Sequence, residues 1–363
     1  MKRYHHQISK RKNVIAVMIF CVVIVLLIIG ARQLQQQFEK KYQVNIDNAS
    51  ATQTQTDASQ AWEPTMELIL GDGIYGSDHK IDTYLFMGTD LSGNEKGKEE
   101  EYRGTMADFL CLAIADHTDQ SYACLELNRD TMTKVILLQA NGGHGASATL
   151  QLCTAHRYGG NRKASCKNTV QAVSDLFGGL PIKGYYELNM KAIPIINHRI
   201  GGVEVTIEDD FSQSDPSLVM GETITLSDEQ AYHFLHDRMN VGDGENTSRM
   251  RRQQTYLHGM IKKVQSMQEN DHQFVINMLQ DISEYSVSSM DLNKMGKVIQ
   301  QLQGYTYEGM YTIAGQTRLG QALGDGLDHT EFYMDEKDRL QKLTEIYHLQ
   351  KIADYEGEEE LQE

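Results

Sequence analysis

The sequence predicts one mixed α/β domain with a central sheet flanked by helices, preceded by a transmembrane helix and a flexible stalk. Short apolar runs typical of buried strands alternate along residues 64–353 with segments whose apolar residues recur every three or four positions. An uninterrupted apolar run at 14–30 and a polar, low-complexity run at 49–60 stand before this region. We therefore expect a folded domain at 64–353, with its core at 81–268, and a stalk at 32–63.

The apolar run Val14–Gly30 predicts a membrane anchor. It is near the ~17-residue lower limit for spanning a bilayer, and Ala31 extends the predicted helix to 14–31. A cleavable signal peptide is the alternative, but no small-x-small cleavage site follows the run. Five basic residues precede it and Arg32 stands nearly alone after it, which predicts a cytoplasmic tail at 1–13 and an external C-terminal domain.

Composition limits the function classes. The net charge of −16 argues against nonspecific nucleic-acid binding, and no nucleic-acid partner is expected. The C-terminal segment 354–363 is an acidic tail.

Outside the cell a disulfide between Cys153 and Cys166 is permitted, and two free thiols are equally compatible with the sequence. No CxxC pair supports a zinc site at these cysteines.

Periodicity and turn residues predict the order of the elements. Strands are expected at 82–88, 109–115, 122–127, 185–188, 203–207 and 307–313, the second and third forming a hairpin. Helices are expected at 148–157, 167–177, 190–200, 228–238, 249–267, 292–303 and 336–352. Ser227 and Gln230 have capping-box spacing at the start of one helix, and Thr247 or Ser248 can cap the next.

The stretch Ala231–Gln253 contains four closely spaced arginines. Arginine is a permanently charged planar fork that pairs bidentately with phosphate. Arg249 and Gln253 are four residues apart, so they share one face of a helix. An anion-binding site is one interpretation, and a solvated basic face paired with nearby carboxylates is the other.

Polar residues also occur at the ends of the predicted strands. Asp90 follows the first strand and Asp108 immediately precedes the second, so two carboxylates can meet at one sheet edge. Mg²⁺ takes one or two carboxylates together with waters and substrate phosphates. Arg129 and Asp130 lie at the exit of the third strand, where a cleft or an ordinary exposed turn is possible.

Together these segments resemble the LytR-CpsA-Psr family of cell-wall phosphotransferases. The resemblance runs from about Ile81 to Met260 and is carried by the order and spacing of several motifs. They are MGTD at 87–90, ADFLCLAIAD at 107–116, LELNRDTM at 125–132, NTVQAVSDLFGGLPIKGYYELNM at 168–190, IGGVEVTIEDDFS at 200–212, LSDEQAYHFLHDR at 226–238 and SRMRRQ at 248–253.

The resemblance implies a membrane-anchored enzyme of a Gram-positive-type bacterium, single-pass, with its N-terminus cytoplasmic and its catalytic domain outside the cell. Such enzymes move a glycopolymer from a polyprenyl-pyrophosphate carrier onto peptidoglycan, with Mg²⁺ as the expected cofactor. It gives roles to Asp90 and Asp108 as metal ligands and to Arg129, Arg238, Arg249, Gln253 and Asp243 as catalytic residues, with an ordinary turn-forming Asp-Gly as the alternative for Asp243. Arg103, His236, Asp130 and Arg252 are further candidate substrate-binding residues.

Two positions depart from the family pattern. The family has an arginine two residues before the second aspartate, where this chain has Met106 and where Arg103 is the nearest substitute. The family's Arg-x-Arg pair is His236-Asp237-Arg238 here, so one guanidinium is replaced by an imidazole. A noncatalytic module that binds polyprenyl phosphate or cell wall is therefore the alternative to an enzyme.

Overall fold

A six-stranded mixed sheet forms the centre of the domain in the computed structural model of the chain. The structure describes residues 64–90, 104–138, 143–271, 274–290 and 305–355, with residues 298 and 302. The predicted membrane anchor at 14–31, the stalk at 32–63, Arg103, most of the predicted helix at 292–303 and most of the acidic tail lie outside this range. Within it, no helix is long and apolar enough to cross a membrane.

The elements follow one another along the chain with strands and helices interspersed. The strands are β1 Met66–Leu70, β2 Gly73–Ser77, β3 Ile81–Thr89, β4 Ala107–Asp116, β5 Ser121–Glu126, β6 Met132–Leu138, β7 His144–Gln151, β8 Gly184–Asn189, β9 Glu204–Thr206, β10 Thr223–Thr225, β11 Ser286–Ser288, β12 Thr306–Tyr311, β13 Gly315–Gly320, β14 His329–Met334 and β15 Gln350–Asp354. The α-helices are α1 Thr154–Arg157, α2 Arg162–Leu176, α3 Ile193–Arg199, α4 Asp228–His236, α5 Asn246–Asn270, α6 Phe274–Asp281 and α7 Glu336–Tyr347.

The central sheet has the order β11-β8-β3-β4-β5-β12. Strand β4 is antiparallel to both β3 and β5, whereas β8 is parallel to β3 and β12 is parallel to β5. The predicted hairpin and the strands around it are thereby confirmed. A second, three-stranded sheet of β1, β2 and β15 lies beside the central one.

Two apolar cores cover the two faces of the central sheet, as expected for strands whose side chains alternate between faces. One core contains Tyr84 and Phe86 of β3, packed with apolar residues of α3, α4 and α5. The other contains Leu85 and Met87 of the same strand, packed with residues of α2 and α7. Strand β3 is therefore buried on both faces, which explains its continuous apolar sequence.

The predicted helix at 148–157 is wrong over most of its length. Residues up to Gln151 belong to β7, which pairs antiparallel with β6, and only Thr154–Arg157 is helical. Strand β6 was not predicted. Its backbone N–H and C=O groups need hydrogen-bond partners, and pairing with residues 144–151 outweighs the helical pattern of apolar residues at 148–157. The predicted helix at 167–177 is confirmed and begins earlier, at Arg162.

The ends of three later helices refine the predictions. The capping box of Ser227 and Gln230 is present at the start of α4. Thr247 and Ser248 do not cap α5, which begins at Asn246 with Glu245 as its N-cap, because the Ser248 hydroxyl donates to Asp243 instead. Helix α7 ends at Tyr347 rather than near 352.

The structure contradicts the disulfide between Cys153 and Cys166, since both are free thiols. Each sulfur faces different groups within the buried interior. Cys153 Sγ is 3.0 Å from Arg129 Nη2, whereas Cys166 Sγ is 3.6 Å from Glu187 Oε2 and 3.8 Å from His156 Nε2. The two thiols therefore belong to separate polar clusters.

Candidate active site

The pairing of β3 with β4 brings two of the predicted residues to one edge of the sheet. Thr89, the last residue of β3, pairs with Ala107, the first of β4, and Gly88 pairs with Phe109, so Asp90 lies just past the end of β3 and Asp108 lies between these two pairs. A register shift between Gly88 and Thr89 accompanies this junction. The sheet thus presents both carboxylates at the same end, as predicted.

A tight turn after β5 holds Arg129 beside these carboxylates. The backbone N–H and the hydroxyl of Thr131 both donate to the Asn128 carbonyl, and Asn128 Oδ1 accepts from the Asp130 N–H. With the turn fixed, Arg129 Nη1 lies 2.5 Å from Asp108 Oδ1. The turn therefore brings Arg129, a predicted catalytic residue, into direct contact with Asp108, a predicted metal ligand.

Two further arginines reach the same place from the C-terminal half. Arg249, in the first turn of α5, places Nη1 3.3 Å from Asp108 Oδ1. Arg238, just after α4, places Nη1 2.6 Å from Asp130 Oδ2. Arg129, Arg238 and Arg249 thus converge on Asp108 and Asp130, and we call these five residues the arginine cluster.

Burial makes the charges of the arginine cluster strongly interdependent. Burial favours the neutral form of Asp108, but Arg129 and Arg249 outweigh it and lower the pKa of this carboxyl below its ordinary value. Arg249 is 2% exposed, and burial together with the charges of Arg129 and Arg238 lowers its pKa to about 10 despite the opposing effect of Asp108. Three guanidinium groups in one buried space favour an additional anion.

Two N–H donors of the cluster lack an acceptor among the described residues. Arg129 Nε and Arg249 Nε are both buried without a hydrogen-bond partner. Asp130 Oδ1 is 3.6 Å from Arg129 Nε, which is too far for a hydrogen bond. A buried donor without an acceptor costs roughly 1–3 kcal/mol, so these atoms mark positions where a phosphate oxygen is favourable.

His236 occupies the position of the missing guanidinium. Its Nε2 lies 3.4 Å from Asp90 Oδ2, and its Nδ1 lies 2.9 Å from Asp237 Oδ1. The Asp237 hydrogen bond and, after the opposing effect of burial, the charges of Asp108 and Asp90 raise the pKa of the imidazole above its ordinary value. The cationic form is therefore more favourable than in a free imidazole, and His236 also stacks on Tyr232 with ring centroids 4.9 Å apart. Its placement is that of a weaker cation within the site.

Met106, at the position where the family has an additional arginine, contacts the guanidinium of Arg129. Its Sδ lies 2.9 Å from Arg129 Nη2, which also contacts Cys153 Sγ at 3.0 Å. Two soft sulfur atoms therefore surround this side of the guanidinium where the family would add another charge. The positive charge at this edge rests on three arginines and one imidazole.

Three other predicted residues have different surroundings. Gln253 donates from Nε2 to the Leu235 carbonyl. Asp243 accepts from the Glu245 N–H and the Ser248 hydroxyl, at the turn before α5. Arg252 is buried behind the cluster, where it pairs with Asp209 and donates to the carbonyls of α4 and its end, and Arg103 lies outside the described residues.

Asn246 is a site residue that the sequence did not reveal. Its Nδ2 donates to Asn128 Oδ1 at 2.9 Å, and its Oδ1 accepts from Arg249 Nη2 at 2.6 Å. It joins the turn of Arg129 to the helix of Arg249. In the sequence, Asn246 looks like an ordinary residue at the start of a helix. Its role in linking Asn128 to Arg249 is seen only in the folded structure.

An open apolar cavity of about 1140 Å³, including solvent at its mouth, adjoins the arginine cluster. It lies between the sheet and helices α3 and α5. Phe109, next to Asp108 in sequence, and Gly88, two residues before Asp90, line it together with Leu235 and Gln253. The combination of an apolar cavity and a guanidinium cluster suits an amphiphilic anion whose charged group meets the arginines.

Asp90 and Asp108 also provide hard oxygen atoms of the kind that Mg²⁺ prefers. Among the described contacts, both guanidinium groups on Asp108 use its Oδ1. Asp90 faces only the imidazole of His236 at ion-pair distance within the described chain. The chemistry of this donor set fits Mg²⁺ completed by water and phosphate oxygens.

A mixed sheet that carries converging arginines and aspartates beside an apolar cavity defines a domain suited to phosphate-containing lipids. Residues 33–348 match the LytR_cpsA_psr family, and the chain belongs to that family.

Similar proteins agree with this assignment. An Enterococcus faecalis protein named polyisoprenyl-teichoic acid–peptidoglycan teichoic acid transferase TagU is 25% identical over 82% of this chain and 89% of its own length. Streptococcus agalactiae protein gbs0355 has a similar solved structure, with a TM-score of 0.58, 20% identity, and coverage of 76% of this chain and 90% of that chain. Bacillus subtilis TagV has a TM-score of 0.52, 18% identity, and coverage of 74% and 98%. These two structures share the fold.

Proposed function

We propose that this protein is a phosphotransferase that moves a glycopolymer from a polyprenyl-pyrophosphate carrier onto peptidoglycan. The observation that carries the proposal is the pair of buried donors Arg129 Nε and Arg249 Nε, which have no acceptor among the described residues, in a cluster of three arginines. The similarity to a protein named for teichoic acid transfer from polyisoprenyl to peptidoglycan supports the same donor and acceptor classes.

In the proposed reaction, a peptidoglycan hydroxyl attacks the phosphorus that carries the glycopolymer. A new P–O bond to the acceptor forms, the bond to the bridging pyrophosphate oxygen breaks, and polyprenyl phosphate leaves with that oxygen. The hydroxyl proton passes to a base, for which the sequence suggests Asp243. Arg129, Arg238 and Arg249 orient the pyrophosphate and neutralise charge on its oxygens, which is the main requirement of phosphoryl transfer.

Asp90 and Asp108 are the residues that would hold Mg²⁺. The ion, when bound, supplies further neutralisation of pyrophosphate charge. The charges of Arg129 and Arg249 outweigh burial and lower the pKa of Asp108, which favours the ionised carboxylate as an oxygen ligand. His236, with its raised pKa beside Asp90, adds a cationic group at the same edge.

The first isoprene units of the polyprenyl carrier are proposed to bind in the apolar cavity. It is lined by aromatic, aliphatic and methionine side chains and lies next to the cluster. An N-terminal membrane anchor at 14–31 would keep the cavity close to the bilayer that holds the carrier. The proposed location is the outer face of the cell membrane.

The test is release of polyprenyl phosphate by the full-length protein in detergent, with a polyprenyl-pyrophosphate glycopolymer and peptidoglycan as substrates. Arg129→Ala and Arg238→Ala are expected to abolish transfer without unfolding the protein. Arg251→Ala is the matched control, because Arg251 is half exposed and pairs with Glu208 and Asp209 away from the cluster. Wild-type turnover by Arg129→Ala contradicts the proposed site.

A noncatalytic lipid-binding module is the second candidate. Met106 and His236 stand where the family has arginines, and this observation favours it. Mass spectrometry of lipid retained by the purified protein, run beside the transfer assay, separates the two functions. Lipid retention without turnover at saturating Mg²⁺ favours the binding module.

A further inference from the structure

Two histidines and two aspartates from three separate segments meet at the end of the sheet opposite the arginine cluster. His79 lies just before β3, Asp116 ends β4, Asp119 lies in the following turn, and His348 follows α7. One ligand atom of each residue lies within 4.8 Å of the others. We call these four residues the histidine cluster.

Asp116 is the centre of the histidine cluster. Its Oδ2 lies 2.5 Å from His79 Nδ1 and 3.4 Å from His348 Nε2. Asp119 Oδ2 completes the group, at 4.0 Å from His79 Nδ1 and 3.8 Å from His348 Nε2. Tetrahedral coordination at roughly 2.0–2.2 Å separates neighbouring ligand atoms by a little over 3 Å. To bind one ion, the Asp116–His79 pair has to open, Asp119 has to move closer, and the two stacked rings have to tilt so that both nitrogens point at the ion.

The surrounding structure holds these side chains in place. Asp116 is 3% exposed, and its Oδ1 accepts from the backbone N–H groups of Thr118 and Asp119. The His79 and His348 rings stack with centroids 4.0 Å apart and an interplanar angle of 15°. His348 has a φ of 52°, an uncommon left-handed conformation that turns its side chain back to the sheet.

The site remains open to an entering ion. The side chains of His348 and Asp119 are 40% and 52% exposed, whereas those of His79 and Asp116 are 18% and 4% exposed. Two ligands are thus fixed in the protein and two lie at the surface. An ion can reach the fixed pair from solvent.

We propose that His79, Asp116, Asp119 and His348 form a binding site for a divalent transition-metal ion of the Zn²⁺ type. Two imidazole nitrogens and two carboxylates favour such an ion over Mg²⁺, which prefers oxygen ligands. Two carboxylates also balance the charge of a divalent cation when both imidazoles are neutral.

A bound ion would join distant parts of the chain. His348 lies at the junction between α7 and β15, and β15 pairs with β2 of the small sheet. His79 and Asp116 belong to the central sheet and its immediate flank. The ion therefore fastens the C-terminal segment to the central sheet, and its expected role is structural stabilisation.

The first experiment measures Zn²⁺ stoichiometry on the full-length protein in detergent, by competition with a chromophoric chelator. His79→Gln and His348→Asn are each expected to lose one equivalent relative to wild type. Asparagine is chosen at 348 because it tolerates the left-handed conformation. His198→Gln is the matched control, since His198 pairs with a single exposed aspartate, Asp228.

The second measurement is thermal stability with and without Zn²⁺. An excess of about 100 times the dissociation constant is expected to raise the Tm of wild type and of His198→Gln by roughly 5 °C, with no rise in the two site variants. Asp119→Asn, in an exposed turn, keeps the fold and weakens Zn²⁺ binding roughly 10-fold or more.

Cobalt(II) substitution distinguishes this site from sulfur ligands. The visible spectrum is expected to lack a thiolate charge-transfer band, because none of the four residues is cysteine. A thiolate band would assign the ion to Cys166, which lies near His156 and Glu187, and would overturn the proposal. Equal Zn²⁺ stoichiometry in wild type, His79→Gln and His348→Asn would overturn it as well.

Discussion

At one end of strands β3 and β4 three arginines meet two aspartates, and at the other end two histidines meet two aspartates. Asp108 and Asp116 are eight residues apart on β4, so the two clusters are separated by roughly 27 Å at about 3.4 Å per residue. The first arrangement favours an anion and the second favours a cation. One strand pair therefore presents opposite chemistry at its two ends.

Burial differs between the two ends as much as charge does. Arg249 is 2% exposed and shares its surroundings with two other guanidinium groups, which lowers its pKa to about 10. Half of the histidine cluster faces solvent. Interactions between charges weaken as the side chains become more exposed to solvent. Substitutions in the arginine cluster should therefore have larger effects than substitutions in the histidine cluster.

After the complete loss of transfer expected for Arg129→Ala and Arg238→Ala, the largest effect is expected from Arg249→Lys. Lysine keeps the charge but cannot reach Asp108, Asn246 and the His236 carbonyl together, as the guanidinium does. We expect transfer to fall roughly 100- to 1000-fold, as for loss of one transition-state donor. Arg251→Lys on the same helix is the control and should stay within about 2-fold of wild type, measured by polyprenyl phosphate release.

His236→Gln tests whether the imidazole is a working cation. The substitution removes the charge beside Asp90 and keeps a polar side chain of similar reach. We expect turnover to fall roughly 10-fold, as for one charged hydrogen bond. Turnover equal to wild type would mean that His236 fills space at this edge and that the three arginines suffice.

Glu126→Gln tests how much the burial of a carboxyl group near the arginine cluster lowers the stability of the folded protein. Glu126 is 2% exposed, and burial raises its pKa to about 8 despite an opposing hydrogen bond from Gln254. The folded protein keeps this proton up to about pH 8, whereas the unfolded chain loses it near pH 4.3. Wild-type stability should therefore fall relative to the variant by about 1 kcal/mol per pH unit between these values.

Urea unfolding at pH 5, 6.5 and 8 measures this slope for both proteins. The difference in free energy of unfolding between Glu126→Gln and wild type should grow with pH. Glu208→Gln, at an exposed ion pair with Arg251, is the control and should give a constant difference. A constant difference for Glu126→Gln as well would mean that this carboxyl is ionised in the folded protein.

The smallest effect is expected from Asp119→Asn on transfer. The residue lies at the far end of β4 from the arginine cluster, in a turn that is open to solvent. We expect turnover within about 2-fold of wild type, since exposed charges at this separation are screened by salt. A large loss of turnover would show that the two ends of the sheet are energetically coupled.

The sequence alone was sufficient for features that depend on neighbouring residues. The continuous apolar runs predicted β3, β4 and β5, and Ser227 with Gln230 predicted the start of α4. The order of the motifs identified the family, which the match over 33–348 confirms. Asp90, Asp108, Arg129, Arg238 and Arg249 were predicted as one site, and the fold brings them together.

Only the tertiary structure decided features that depend on residues far apart in the chain. The strand at 144–151 replaced a predicted helix because β6 requires a partner. Cys153 and Cys166 remained separate thiols because each is held in a different polar cluster. Asn246 and His348 acquired their places through contacts with residues 118 and 232 positions away in the sequence. Periodicity and capping encode local geometry, whereas such contacts follow from how the strands are ordered in the sheet.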